Sequence, residues 1–263
     1  MAQNDTHIDL YTAQTPNGIK ISITLEELNL KYNVHAVKIA ENEQKTPEFL
    51  AINPNGRIPA VTDTKFKGSE TIHLFESGSI QQYLVDEYDH DHKISYPKGS
   101  REYYETNNWL FFLNAGVGPM QGQANHFTRY APEKIPYGVN RYQNETRRLY
   151  GVLNEHLKKK NGGYLVGDKC TIADIAHYGW VSAAHWAGVE IEGKENFPYL
   201  DQWQKMMSER PAVKKGKDVP EPSRHSKEDL KKNPELAKKI EEESRKWVQQ
   251  GMQEDAAKHG KKL

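Results

Sequence analysis

The sequence predicts an α/β domain followed by an all-α domain, and three observations carry that prediction. Short runs of alternating apolar residues, punctuated by Pro, Asn and Gly, fill roughly the first ninety positions. Beyond about position 100 only helical spacing appears. Between the two lies Asp89 to Ser100, rich in Asp, His, Pro, Gly and Ser, which reads as a linker. At 263 residues the chain is long enough for two modest domains, each with its own core.

His7 to Ala13 carries Ile8, Leu10 and Tyr11 ahead of the breaker Thr15-Pro16-Asn17-Gly18, a strand entering a turn. The next stretch fits two periods. Ile19, Ile21, Ile23 and Leu25 alternate as a strand would, yet Ile21, Leu25 and Leu28 share a helical face. Tyr32 to Ile39 is a second strand, and Thr46 to Leu50 is a helical turn with Pro47 at its first position. Ala60 to Thr64 and Thr71 to Phe75 follow as adjacent strands, and from Ser77 the spacing of Ile80, Tyr83, Leu84 and Tyr88 is helical. This is the thioredoxin-like order. In the second half, helices are expected over Arg101 to Asn114, Ile135 to Lys159, Thr171 to Ala187 and Pro198 to Glu209. Thr171 followed by Asp174 is a capping box ahead of an apolar run. Ser226 to Gly260 is highly charged with a sparse stripe of Leu236, Ile240, Trp247, Val248 and Met252, an appendage expected to be a helix on the body.

Composition excludes several function classes. Lys plus Arg equals Asp plus Glu, 36 each, so no global field draws nucleic acid or an anionic membrane. The single cysteine, Cys170, leaves no internal disulfide and no CxxC pair, fits a reducing compartment and reads as structural. The start lacks the basic and apolar regions of a signal peptide, and no apolar run approaches the roughly 18 residues of a membrane span, which makes the cytoplasm the expected location. No G-x-S-x-G, Walker loop, H-E-x-x-H or dinucleotide fingerprint occurs. His90 and His92 sit in a solvated loop without a closed ligand set, so no metal is expected.

Three segments of the first domain suit one ligand. Thr15-Pro16-Asn17-Gly18 is a plain turn when taken alone, but ahead of a helix its free N–H groups and the helix dipole favour a negative charge. A thiol of pKa about 8.5 is only a few per cent ionised at neutral pH. Lowering that pKa by about two units requires about 2.7 kcal/mol, within reach of one charge-assisted hydrogen bond plus a helix end. The Asn17 amide and Thr15 hydroxyl are suitable donors. In Asn53-Pro54-Asn55-Gly56-Arg57-Ile58-Pro59-Ala60, a cis bond at Ile58-Pro59 would turn the Ile58 N–H and C=O outward for an extended peptide, although the segment alone reads as a loop. Glu76-Ser77-Gly78-Ser79 opens a helix: Ser77 and nearby amides can hold a carboxylate and Glu76 an ammonium, although Ser77 alone is an ordinary cap.

The order Thr-Pro-Asn-Gly, Pro47-Glu48-Phe49, Asn-Pro-Asn-Gly-Arg-Ile-Pro and Phe-Glu-Ser-Gly-Ser-Ile resembles the N-terminal domain of the glutathione transferase superfamily, nearest to its nu class. That group includes microbial disulfide-bond reductases and a prion-forming nitrogen regulator. Gly118-Pro119-Met120, Ile135-Pro136-Tyr137, Arg141-Tyr142 and the segment from Thr171 to Ala176 extend the resemblance, which runs from about Ile8 to about Pro211. It implies a thioredoxin-like glutathione-binding domain over 1–91, an all-helical domain over 92–225 and a charged helical tail over 226–263. It further implies that Asn17 and Thr15 face the glutathione sulfur, that Ile58 and Pro59 pair with the cysteinyl backbone, and that Glu76 and Ser77 hold the γ-glutamyl end. Gln44 would reach the glycine carboxylate and Arg148 the neighbouring subunit of a homodimer. Tyr11 sits too early in its strand to replace Asn17. The implied activity is conjugation of glutathione to an electrophile, reduction of disulfides with it, or both, with glutathione as co-substrate. A pocket for the second substrate is expected among Trp109, Phe111, Phe112, Phe127 and Tyr130. The rival reading is a regulatory or ligand-binding protein that keeps the fold without turnover.

Overall fold

A computed structural model of the chain describes residues 6–193, 196–222, 227–258 and 260. Four strands form one mixed sheet: β1 (Ile8–Thr12), β2 (Asn33–Ala36), β3 (Ala60–Phe66) and β4 (Glu70–Phe75), in the order β2-β1-β3-β4. β1 runs parallel to β2, with Leu10 opposite Val34, and antiparallel to β3, with Leu10 opposite Val61. The β3–β4 pair is antiparallel, with Val61 opposite Leu74. β2 is shorter than the expected Tyr32 to Ile39. It is an exposed edge strand bonded, among the described residues, to β1 alone, and the chain then coils into two 3-10 turns around Asn42, whose φ of 59° is left-handed.

The stretch that fits both periods is a helix, α1 (Gly18–Glu27), and the structure explains why its sequence alternates. Ile21 and Leu25, four apart, pack with Ile8, Leu10 and Val61 of the sheet; Ile19 and Ile23, also four apart, join the core of the helical half. Two opposite helical faces are each buried, so their apolar residues interleave as a strand's would. α2 (Pro47–Ile52) is capped by Thr46, which accepts from the Phe49 N–H, and α3 (Ser77–Tyr88) closes the α/β half.

Among the described residues the second half forms helices and no strand: α4 (Arg101–Phe112), α5 (Gly118–Asn125), α6 (Pro136–Lys159), α7 (Ile172–Ser182), α8 (Pro198–Ser208) and α9 (Pro211–Gly216). Two expected ends move. The helix expected to stop at Asn114 continues through a π-turn at Leu113–Val117 into α5 and a second π-turn at His126–Tyr130. Pro119 is no stop there, because it stands in the first turn of α5, where its missing N–H is tolerated. The helix expected to reach Ala187 ends at Ser182, and a 3-10 turn follows. The tail forms α10 (Lys227–Lys232) and α11 (Pro234–Lys258); positions 226, 259 and 261–263 lie outside the described residues.

The capping box at the start of α7 forms as read, with Thr171 and Asp174 each satisfying the other's backbone. One turn on, His177 is fully buried; its Nδ1–H donates to the Ala173 carbonyl at 2.8 Å and its Nε2 has no hydrogen-bond partner among the described residues. Burial pulls its pKa from 6.5 down to about 4. Within that window the unfolded chain binds a proton that the folded chain does not, so stability falls as pH falls from 6.5 to 4, by about 3 kcal/mol in all. Urea midpoints are expected to show this slope in the wild type, and His177→Phe is expected to flatten it.

Candidate active site

The strand register gathers the three predicted segments at one edge of the sheet. Ala60 lies opposite both Tyr11 and Phe75, so the end of β1, the start of β3 and the end of β4 lie side by side. From that edge the chain continues to Thr15, arrives through Ile58-Pro59, and continues to Glu76. The Ile58-Pro59 bond is cis, and among the described residues the Ile58 N–H and C=O have no hydrogen-bond partner.

At the start of α1 the Thr15 hydroxyl oxygen accepts from the Gly18 N–H at 3.0 Å. Gly18 is obligatory there, since a Cβ would lie 2.2 Å from the Ala13 carbonyl oxygen. Asn17 occupies the cap position of α1 without capping it. Instead its Oδ1 accepts from the Trp180 indole N–H at 2.9 Å, across 163 positions of sequence. An indole nitrogen only donates, so this bond fixes which end of the amide is which: the oxygen faces Trp180 and the Nδ2 group remains a donor. α7 comes close enough to do this because Gly179 has no side chain; a Cβ there would sit 2.4 Å from the Pro16 carbonyl oxygen.

The start of α3 is tied to α1. Ser77 is buried, and its hydroxyl oxygen accepts from Lys20 Nζ at 3.1 Å. Lys20 is 1% exposed; burial pulls its pKa down to about 7, and the Glu76 carboxylate pulls the other way. Glu76 itself is exposed, and its φ of 68° is an unusual backbone state for a residue with a Cβ, of the kind that clusters at functional sites. From the helical half, Asn114 Nδ2 stands 2.2 Å from where a Gly78 Cβ would be, which places an exposed side-chain amide against the first turn of α3.

The remaining expected residues divide. Gln44 is 3% exposed, its Nε2 donating weakly to the Ile39 carbonyl at 3.4 Å while its Oε1 has no hydrogen-bond partner among the described residues. Arg148 lies on α6 with its side chain 60% exposed, paired with Glu145 of the same helix at 2.7 Å. Tyr11 stacks on His35 and meets Phe49 edge-on. Burial pushes the Cys170 thiol well above its usual range, so it is a buried packing group as read.

Beside Thr15 and Pro16 lies a cavity of about 610 Å³. Of the five aromatic residues expected to line a second-substrate pocket, only Tyr130 lines this cavity. Trp109 and Phe112 pack around His177 against the helical core, Phe127 stacks on Tyr142, and Phe111 is 63% exposed. The cavity's other aromatic walls are Tyr178 and Trp186, from α7 and the 3-10 turn after it.

Lys20, Trp180 and Asn114 escape the sequence reading. Lys20 had a signal, a lone charge in a helix that is otherwise apolar on both faces and therefore in need of a buried partner. Trp180 and Asn114 reach the site only through tertiary contacts and left none.

Comparison with known proteins defines the class. Residues 7–86 match the family model of the glutathione S-transferase N-terminal domain, and residues 128–215 match that of the glutathione S-transferase C-terminal domain. The chain belongs to the glutathione S-transferase family. Among individual relatives, it is 43% identical to the disulfide-bond oxidoreductase YfcG of Escherichia coli, over 78% of this chain and 92% of that protein. It is 47% identical to a glutathione transferase homologue of Lodderomyces elongisporus solved with two glutathiones per subunit, with a TM-score of 0.76 and coverage of 81% of this chain and 98% of that one. A glutathione transferase of Phanerochaete chrysosporium in complex with oxidized glutathione is 42% identical, with a TM-score of 0.75 and coverage of 81% and 95%.

Proposed function

We propose that this protein is a glutathione-dependent enzyme that reduces disulfides and conjugates electrophiles, using the sulfur of glutathione as nucleophile. The observation that carries the reading is the Trp180–Asn17 bond, which holds an amide donor in place at the first turn of α1. The protein contributes no thiol of its own, since Cys170 is buried. In the proposed binding mode the cysteinyl backbone pairs with the open N–H and C=O of Ile58 beside Pro59. The γ-glutamyl carboxylate lies at Ser77 and the first turn of α3, within reach of Asn114, and its ammonium at Glu76. Gln44 serves the glycine end, since its 3.4 Å bond is weak and its amide can turn. Thr15 and Asn17 then face the sulfur, and Asn17 Nδ2–H stabilises the thiolate.

Disulfide reduction proceeds in two exchanges. The glutathione thiolate attacks one sulfur of the substrate disulfide, forms a mixed disulfide and releases a thiolate that takes up a proton. A second glutathione thiolate attacks the mixed disulfide, giving glutathione disulfide and the second thiol. The relatives named as disulfide-bond oxidoreductase, or solved with two glutathiones or with oxidized glutathione, support this version. Arg148, exposed on α6, is proposed to reach the site of a second copy in a homodimer, and the cytoplasm is the proposed location. Glutathione-dependent reduction of a small disulfide, measured beside conjugation of a nitroaryl halide, tests the proposal: turnover in the first assay is expected, and tight glutathione binding without turnover in either would make the protein a ligand-binding member of the family.

A further inference from the structure

Lys20 has no task in the proposed chemistry, yet its place in the fold is unusual. It lies on α1, which packs against both α3 and α7, and it is 1% exposed. Lysine is almost never fully buried unless it is paired. Among the described residues the Ser77 hydroxyl is its one side-chain hydrogen-bond partner, at 3.1 Å, and no carboxylate forms a salt bridge with it. Ser77 opens α3, whose first-turn N–H groups and dipole carry positive charge of their own. Two positive ends therefore meet at one hydroxyl, and an anion bound there relieves both.

The charged groups nearby do not supply that anion. Glu76, at the head of α3, is exposed and acts on Lys20 through space, favouring its charged form. His177 of α7 is buried and held neutral by that burial. Asp9 of β1 pairs with His35, and Arg210 and Lys215 beside α9 and on it pair with Glu27 and Glu26 at the far end of α1.

An ammonium only donates, so the Ser77 oxygen accepts from Lys20 and its own O–H is left to donate. We propose that Lys20 is a positioning residue for glutathione: through Ser77 it presents a hydroxyl donor, backed by a buried positive charge, to the α-carboxylate of the γ-glutamyl group, and so selects ligands that carry this carboxylate. The inference rests on the proposed placement of the γ-glutamyl end at Ser77. Glu76 then takes the ammonium of the same group, so the amino-acid head lies between charges of opposite sign. Burial brings the Lys20 pKa to about 7, so near neutral pH the free protein holds that proton only in part. A carboxylate at Ser77 favours the charged form and raises the pKa, so binding takes up a proton. Affinity is therefore highest below about pH 7 and falls as pH rises through the range in which the free protein has lost the proton and the complex keeps it.

The test uses two thioether probes on the full chain, so that no ligand thiol titrates: S-methylglutathione, and its analogue with 4-aminobutyryl in place of γ-glutamyl, which keeps the amine and lacks the α-carboxylate. Wild-type affinity for S-methylglutathione is expected to fall roughly fivefold between about pH 6 and about pH 8, with proton uptake seen by calorimetry in buffers of different ionisation enthalpy. The analogue is expected to show neither. Lys20→Met is expected to weaken S-methylglutathione roughly tenfold or more at about pH 6, to abolish the uptake and to leave the analogue's affinity unchanged. Ser77→Ala is expected to weaken S-methylglutathione as well. The inference is overturned if Lys20→Met weakens both probes by the same factor, or if it binds S-methylglutathione as the wild type does while Ser77→Ala does not. Should Lys20→Met fail to fold, the wild type decides alone: a flat pH dependence without proton uptake overturns the inference. Wild-type affinity for S-methylglutathione in Ser77→Ala would instead overturn the placement of the γ-glutamyl end, and the inference with it.

Discussion

Replacing Asp174 with alanine is expected to lower the unfolding free energy by about 4 kcal/mol or more. The carboxylate is fully buried and accepts four hydrogen bonds: from the Thr171 N–H at 3.0 Å, the Thr171 hydroxyl at 3.1 Å, the Leu165 N–H at 2.9 Å and the Trp203 indole N–H at 2.9 Å. Burial pushes its pKa up and those donors push it back, which leaves it raised. Alanine would strand the Leu165, Thr171 and Trp203 donors away from water, at about 1 to 3 kcal/mol for each. Asp174's half of the capping box would go too, at the start of the helix that presents Trp180 to Asn17. Asp174→Asn keeps the shape and one acceptor oxygen, so it is expected to cost less. Urea denaturation separates the cases: a lower midpoint at unchanged slope is expected for both variants, in the order alanine below asparagine below wild type. An alanine variant within about 1 kcal/mol of wild type would show that the four bonds do not act together.

Asn17→Ala is expected to lower kcat/KM for disulfide reduction by roughly a hundredfold or more, while glutathione affinity changes little. The amide touches the sulfur and not the peptide backbone in the proposed mode, so its loss falls on the charged nucleophile rather than on binding. Trp180→Phe supplies the companion measurement. It keeps an aromatic ring beside α5 but removes the indole N–H that holds Asn17 Oδ1, and roughly a tenfold loss is expected as the amide loses its fixed orientation. Full activity in Trp180→Phe beside a crippled Asn17→Ala would mean that the amide is oriented by something other than the indole.

The fold was legible in the sequence wherever burial was one-sided. β1 alternates Ile8 and Leu10 toward the core, and β3, β4 and the capping box of α7 carry equally local signals. α1 was ambiguous for a physical reason, because a helix wedged between two cores shows the period of neither face alone. The run from α4 through the second π-turn was cut short because Gly118 and Pro119 usually punctuate chains, and here a widened turn carries the helix past them. At the site, Thr15, Asn17, Ile58, Glu76 and Ser77 stood out because their turns and caps are local. Lys20 and Trp180 matter through hydrogen bonds to Ser77 and Asn17 that only the packed chain creates. Of the five aromatic residues expected at a second-substrate pocket, four lie away from the cavity beside Thr15, because helical spacing says which residues share a face, not whether that face meets a cavity or the core.

The most direct measurement is the titration of bound glutathione, followed by the ultraviolet absorbance of its thiolate in the wild type and in Asn17→Ala. In the wild type the thiol is expected to ionise about two units below its free value, and in Asn17→Ala most of that shift is expected to vanish. Coincident titration curves for the two proteins, both saturated with glutathione, would contradict the claim that the Asn17 amide stabilises the sulfur.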